Sequence, residues 1–284
     1  MLQKYIARFG AHGALLLSLC LGMGQSAWGQ ASVNKTAMAF YTKGRQVALT
    51  KKFDLALDFY DKAIQLHPQY YEALRDRGAV RAQLGYYQEA VEDFSAALEL
   101  KPSDSALYNN RGAAYFALGK TRKALRDFER CIRFQPDSGM PHTNYATAAS
   151  KLGREGSALT HYRKAIENDP DNRHAYHGYA NSLVRVRALA EALPFYEKAL
   201  SLNSYDPDVH YNKAYCLQLM GRHADASLAA GKAIALRRNY AEAYFLRANS
   251  LHELEEHKAA CKDWTTAWKH GFEPAQKKLK KHCR

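Results

Sequence analysis

The sequence predicts an all-α fold: an α-solenoid of seven helix-turn-helix repeats, closed by a C-terminal capping helix. Three observations predict it. First, an alanine recurs every 34 residues without insertion or loss, at Ala56, Ala90, Ala124, Ala158, Ala192, Ala226 and Ala260. Second, its companions keep the same register. Four residues later stand Tyr60, Phe94, Phe128, Tyr162, Tyr196, Ala230 and Trp264, and seven later Ala63, Ala97, Cys131, Ala165, Ala199, Ala233 and Ala267. Twelve earlier stand Gly44, Gly78, Gly112, Ala146, Ala180, Ala214 and Ala248. Third, Pro68, Pro102, Pro136 and Pro170 recur where a helix has to stop. A fixed period of this length is the mark of stacked helical repeats.

Composition agrees. Of 284 residues 47% are hydrophobic and 24% charged, which excludes a largely disordered chain. A mean hydropathy of −0.50 excludes a protein of many membrane spans.

The elements follow in order. Residues 1–29 read as a signal peptide: Lys4 and Arg8, then an apolar run from Ala14 to Gly22, then Ala27 and Gly29 before a cleavage site. The run is too short to serve comfortably as a membrane anchor. A lipoprotein reading through Cys20 fits poorly, because Leu19 precedes it. The chain is therefore expected to be exported, and periplasmic or secreted after cleavage. A linker is expected over 30–36. Repeats are expected at 37–70, 71–104, 105–138, 139–172, 173–206, 207–240 and 241–274. In each, the small residue at position 8 lets the first helix approach the second. Positions 20, 24 and 27 share one face of the second helix. Leu84-Gly85, Leu118-Gly119 and Leu152-Gly153 mark the turn between the two. Residues 275–284 are expected to form a basic capping helix, with Ala275, Leu279 and Cys283 on one face.

At these residues the sequence resembles the tetratricopeptide repeat (TPR) family, over 37–274. Repeats two and three match closely; Thr50-Lys51, Arg187, Ala230 and Glu255 depart from the pattern. The resemblance implies a right-handed superhelix whose first helices line a concave groove, and a protein or peptide ligand in that groove. It implies that positions 2, 5, 6, 9, 12 and 13 of each first helix face the groove. These carry Arg45, Arg75, Lys151 and Arg185 against Glu72, Asp76, Asp208, Glu242 and Glu253, a near-neutral surface. No nucleic-acid partner is expected, since backbone binding needs many cations. The carboxylate-clamp pattern of chaperone-binding relatives fails at His177, Glu242 and Leu246, though Asn181 and Asn212 match it.

Six asparagines fall on those positions: Asn109, Asn110, Asn144, Asn181, Asn212 and Asn249. Asparagine is a poor helix former, so a row of them calls for a reason. Two readings are open. Their amides form a ladder that pairs with the backbone of an extended peptide, or they are solvated polar positions. Tyr41, Phe116, Tyr211, Tyr215 and Phe245 are candidate hot spots, or they pack across neighbouring helices. Arg185 completes the candidate peptide-binding set.

His174 and His177 are three apart, a metal-ligand spacing without an evident third ligand. No metal, cofactor or catalytic residue is expected, and the protein is read as a non-enzyme. Cys131 reads as a buried core residue. Folding the terminal segment back about Phe272 sets Cys283 beside Cys261, as a disulfide or as two buried thiols. The chain carries an excess of thirteen cations, eleven without Lys4 and Arg8. Nearly half of these lie in 274–284. The reading is a non-catalytic exported scaffold that binds an extended segment in its groove. The alternative is an envelope-associated assembly factor whose basic tail and convex face meet anionic surfaces; membrane contact is expected through the tail only.

Overall fold

The structure, a computed structural model, describes residues 34–283. The expected signal peptide, and residues 30–33 of the expected linker, lie outside the described residues. Helix α1 spans 34–49, so residues 34–36 of that linker are helical. Among the described residues there are helices and turns and no strand.

The chain divides into two compact units on either side of Lys120 and Thr121. The first holds α1, α2 (Phe53–Leu66), α3 (Tyr71–Gln83), α4 (Tyr87–Leu100) and α5 (Ser105–Ala117). The second holds α6 (Thr121–Phe134), α7 (Gly139–Lys151), α8 (Glu155–Asn168), α9 (Arg173–Arg185), α10 (Leu189–Leu202), α11 (Pro207–Leu219), α12 (His223–Leu236), α13 (Ala241–Glu253), α14 (His257–Lys269) and α15 (Pro274–His282). Within each unit, consecutive helices pack as neighbours, the pattern of an α-solenoid.

The periodic small residues explain the close approach of paired helices. Ala56, Ala90, Ala158, Ala192, Ala226 and Ala260 have no exposed surface, and neither have Ala146, Ala180, Ala214 and Ala248. At Gly78 a Cβ would come within 2.8 Å of the Phe94 ring, so the aromatic of the second helix occupies the space a larger side chain would need.

The turn between paired helices has one geometry throughout. Gly85, Gly119, Gly153 and Gly221 occupy it with φ between 71° and 86°. Lys51, Arg187 and Glu255 stand at the same place in repeats one, five and seven, with φ of 59°, 67° and 63°. These departures from the repeat pattern keep the backbone and carry the strain of a left-handed L-residue.

The turns between repeats are closed by side chains. Asp104, Asn172 and Asp206 cap α5, α9 and α11 by accepting backbone N–H groups. The fourth residue of a repeat reaches back to the carbonyl at position 32 of the one before. Tyr108 Oη donates to Pro102, and His142 Nε2 and His210 Nε2 lie 2.9 and 3.1 Å from the carbonyls of Pro136 and Ser204. The terminal helix begins at Pro274, a favoured first residue, one position before the expected start. Ala275 is fully buried, and Leu279 and Cys283 pack into the cluster around Trp264 and Ala260. Cys283 and Cys261 stand at disulfide distance with Cα atoms 5.7 Å apart, while Cys131 and Cys216 are free and buried.

Candidate functional site

The candidate surface is the outward face of the first helices, in each unit separately. Not every position expected there is exposed. Tyr41, Thr143, Ser150, Val184 and Leu246 are buried, because positions 5, 6, 12 and 10 also form the seam between successive first helices. Tyr41 Oη donates to Asp76 at 3.0 Å and its ring meets Tyr70 at 5.1 Å, so this candidate hot spot is a core residue of the first unit. The same position-5-to-6 bond joins His177 and Asn212 at 2.8 Å. Position 12 bonds to position 10 of the next repeat at Gln218 and Ser250, and Ser182 Oγ reaches Ser150 Oγ at 3.5 Å.

A second set of bonds lies inside the repeats. Tyr196 Oη donates to Asn181 Oδ1 at 2.7 Å, Trp264 Nε1 donates to Asn249 Oδ1 at 3.1 Å, and Thr147 Oγ1 lies 3.0 Å from Tyr162 Oη. Each pair joins position 9 of the first helix to position 24 of the second. Where position 24 is Phe94 or Phe128, with no polar tip, position 9 is Ala79 or Ala113. The polar residue at position 9 therefore satisfies a buried aromatic tip that would otherwise lack a partner. A donor-bearing aromatic fifteen residues after Thr147, Asn181 and Asn249 is the sequence signal of these bonds. An indole N–H only donates, so Trp264 fixes the Asn249 amide with Oδ1 inward. The Nδ2 groups of Asn181 and Asn249 have no partner among the described residues.

In the second unit this face presents Asn144, Asn181, Asn212 and Asn249, all half-buried. Arg185 is exposed, though it donates to Glu155 and to the Ser150 carbonyl at 3.1 Å each. Tyr215 is 44% exposed. Tyr211 and Phe245 pack on the segment that ends their own repeat, 5.1 Å from Tyr240 and 5.0 Å from Phe272. Asp208 is held by Arg237 in a paired set of bonds at 2.9 and 3.0 Å and by Tyr240, which lower its pKa. In the first unit, α3 and α5 border a shallow trough of about 460 Å³ lined by Ala79, Ala82, Ala113, Ala117 and Asn110, with Phe94 at its floor. Asn109 and Phe116 are half-buried on α5. In the first unit Arg75 pairs with Asp76 at 2.8 Å, and Arg77 and Arg81 pair with buried Asp93.

The second helices hold one further polar arrangement. Position 7 of the first helix meets position 23 of the second as a charge pair in some repeats, Arg247 with Asp263 at 2.6 Å. In repeat five the pair is Tyr179 on Phe195, and in repeat four it is Tyr145 on His161, with ring centroids 4.6 and 4.1 Å apart. His161 Nδ1 lies 2.9 Å from His142 Nδ1. His142 Nε2 faces a carbonyl and so carries its proton there; His161 Nδ1–H donates to the bare His142 Nδ1. Burial, then the neighbouring His142 and Lys164, push His161 down to about 4. Burial lowers His177 as well. His174 lies beside Arg173, not in a ligand set with His177, and no group of three or more His, Cys, Asp or Glu among the described residues is placed to hold a metal ion.

Fold and surface define a class, the helical-repeat solenoid that offers a face of first helices. Models of the tetratricopeptide repeat match at 47–108, 105–138, 143–207 and 195–226, more than half of the chain together. The chain belongs to the tetratricopeptide repeat family. No curated protein matches it. Among solved structures it is similar to a tetratricopeptide repeat protein from Parabacteroides merdae, with a TM-score of 0.68 at 21% identity, covering 87% of this chain and 98% of the other. It is also similar to YrrB, described as a TPR protein with an unusual peptide-binding site, with a TM-score of 0.53 at 21% identity over 65% of this chain and 95% of YrrB. MamA from Desulfovibrio magneticus gives a TM-score of 0.55 at 20% identity over 61% of this chain and 96% of that one.

Proposed function

We propose that this protein is an exported, non-catalytic scaffold that holds an extended protein or peptide segment on the first-helix face of its second unit. The reading rests on one observation above others. The Asn249 amide is oriented by Trp264, and that of Asn181 by Tyr196, so that each keeps its Nδ2 for a ligand. Donors held in place by a buried partner lose little freedom on binding and suit the carbonyls of a passing backbone. Tyr215 adds an exposed aromatic between them, the residue type that dominates binding hot spots. A tetratricopeptide repeat fold and the likeness to a peptide-binding relative support the same class of ligand. The leader-like N-terminus and the pairing of Cys261 with Cys283 support an oxidising compartment outside the cytoplasm.

The test is selection of peptides from a random display library on the intact protein, followed by titration. Bound peptides are expected to be extended and diverse in side chain. Tyr215→Ala and Asn249→Asp, the second keeping an acceptor for Trp264 while removing the Nδ2 donor, are checked for unchanged circular dichroism and expected to weaken them about tenfold or more at moderate salt. Peptides that bind both variants as they bind the parent, or a library that yields no binder, would refute the reading.

A further inference from the structure

The C-terminal end of the second unit carries a surface that first-helix binding does not use. Residues 257–284 hold seven lysines, one arginine and two acidic side chains, Asp263 and Glu273. Asp263 is buried and bonded to Arg247, so it neutralises none of the lysines. Lys258, Lys262, Lys269, Lys277, Lys280 and Lys281 are all exposed and have no carboxylate partner among the described residues.

The helix geometry sorts them. Ala275, Leu279 and Cys283 form the packed stripe of α15, and the 3.6-residue turn sets Lys277 and Lys281 on the far side, with Lys280 exposed on one flank. Lys278 flanks the stripe, its Nζ 5.7 Å from the Trp264 ring. Crowded lysines repel along a helix this short. The pairing of Cys261 with Cys283 holds α15 in place against that repulsion, so the charges are presented without an ordering cost on binding. On α14, one turn after buried Trp264, Trp268 is 48% exposed beside Lys269. A half-exposed indole next to a lysine is a pairing found where protein meets the lipid interface. Nucleic acid is matched less well, since its phosphates and base edges favour the arginine fork, and this segment has seven lysines to the single arginine, Arg284.

We propose that Lys269, Lys277, Lys280, Lys281 and Trp268 form a docking face for an anionic lipid surface, with the ammonium groups over the headgroups and the indole in the interface. The proposal is independent of the first-helix reading.

The intact protein is mixed with vesicles of phosphatidylcholine, alone or with phosphatidylglycerol, and sedimented at low and moderate salt. Binding is expected only to the mixed vesicles, falling as salt rises. Each lysine at the surface contributes about fivefold, so Lys277→Gln/Lys280→Gln/Lys281→Gln is expected to weaken binding roughly a hundredfold. Brominated lipid is expected to quench the parent and not Trp268→Ser. Equal binding to uncharged vesicles, full binding by the triple variant, or retention on polyglutamate or DNA without vesicle binding would each overturn the proposal.

Discussion

The left-handed turns within the repeats give the cleanest test of the energetics. Lys51, Arg187 and Glu255 sit at φ of 59–67°, where four other repeats use glycine. All three are exposed, and none is joined to a carboxylate or a cation among the described residues. Holding an L-residue there costs about 1–2 kcal/mol. Glycine removes that cost and adds about 0.5–1 kcal/mol of unfolded-state freedom. Arg187→Gly is therefore expected to stabilise the second unit by about 0.5–1 kcal/mol, with Glu255→Gly similar. The reverse change is Gly153→Ala. A Cβ at Gly153 would meet nothing within 4 Å, so its cost of about 1 kcal/mol is backbone alone. Urea unfolding followed by circular dichroism measures both, and the melting temperature is expected to move by about 2–4 °C per kcal/mol. If Arg187→Gly melts below the parent, or Gly153→Ala melts with it, turn strain is not what separates these repeats.

Two further outcomes follow from the second unit. Cys261→Ser/Cys283→Ser opens a loop of 22 residues and is expected to cost about 3 kcal/mol by chain entropy, seen as faster amide exchange in α14 and α15 than in α7. The histidine pair makes the same unit acid-sensitive: burial and then His142 hold His161 at about 4, below its unfolded value of about 6.5. Stability is thus whole above about pH 6.5 and is lost as pH falls from there towards 4, by an amount of order 1 kcal/mol once solvent screening is allowed for. His161→Phe, which places in repeat four the residue that Phe195 supplies in repeat five, is expected to flatten the urea midpoint between those pH values; an unchanged slope would refute the assignment.

The period alone made the fold legible. Ala56 and its successors are fully buried because a second helix passes too close for anything larger, and that constraint leaves a trace in every copy. Even Lys51, Arg187 and Glu255, which look like broken turns in the sequence, keep the turn, since the packed helices on either side fix φ more strongly than the residue's own preference. The candidate site was less legible. Asn181, Asn212 and Asn249 are costly residues for a helix interior, and each has a partner in another helix, Tyr196, His177 and Trp264. Tyr41 failed as a surface residue for the same reason: its hydroxyl belongs to Asp76, in the next repeat. A polar residue on an amphipathic helix looks solvated until the helix beside it is known.

The matching of position 9 to position 24 bears on how such a chain can be lengthened by duplication. A copied segment that carries a whole helix pair brings hydroxyl or indole together with its acceptor. A breakpoint inside the pair, joining the helix of Ala113 to that of Tyr196, would strand a hydroxyl in the interior. A crossover in the loops between repeats would keep each such hydroxyl or indole with its acceptor.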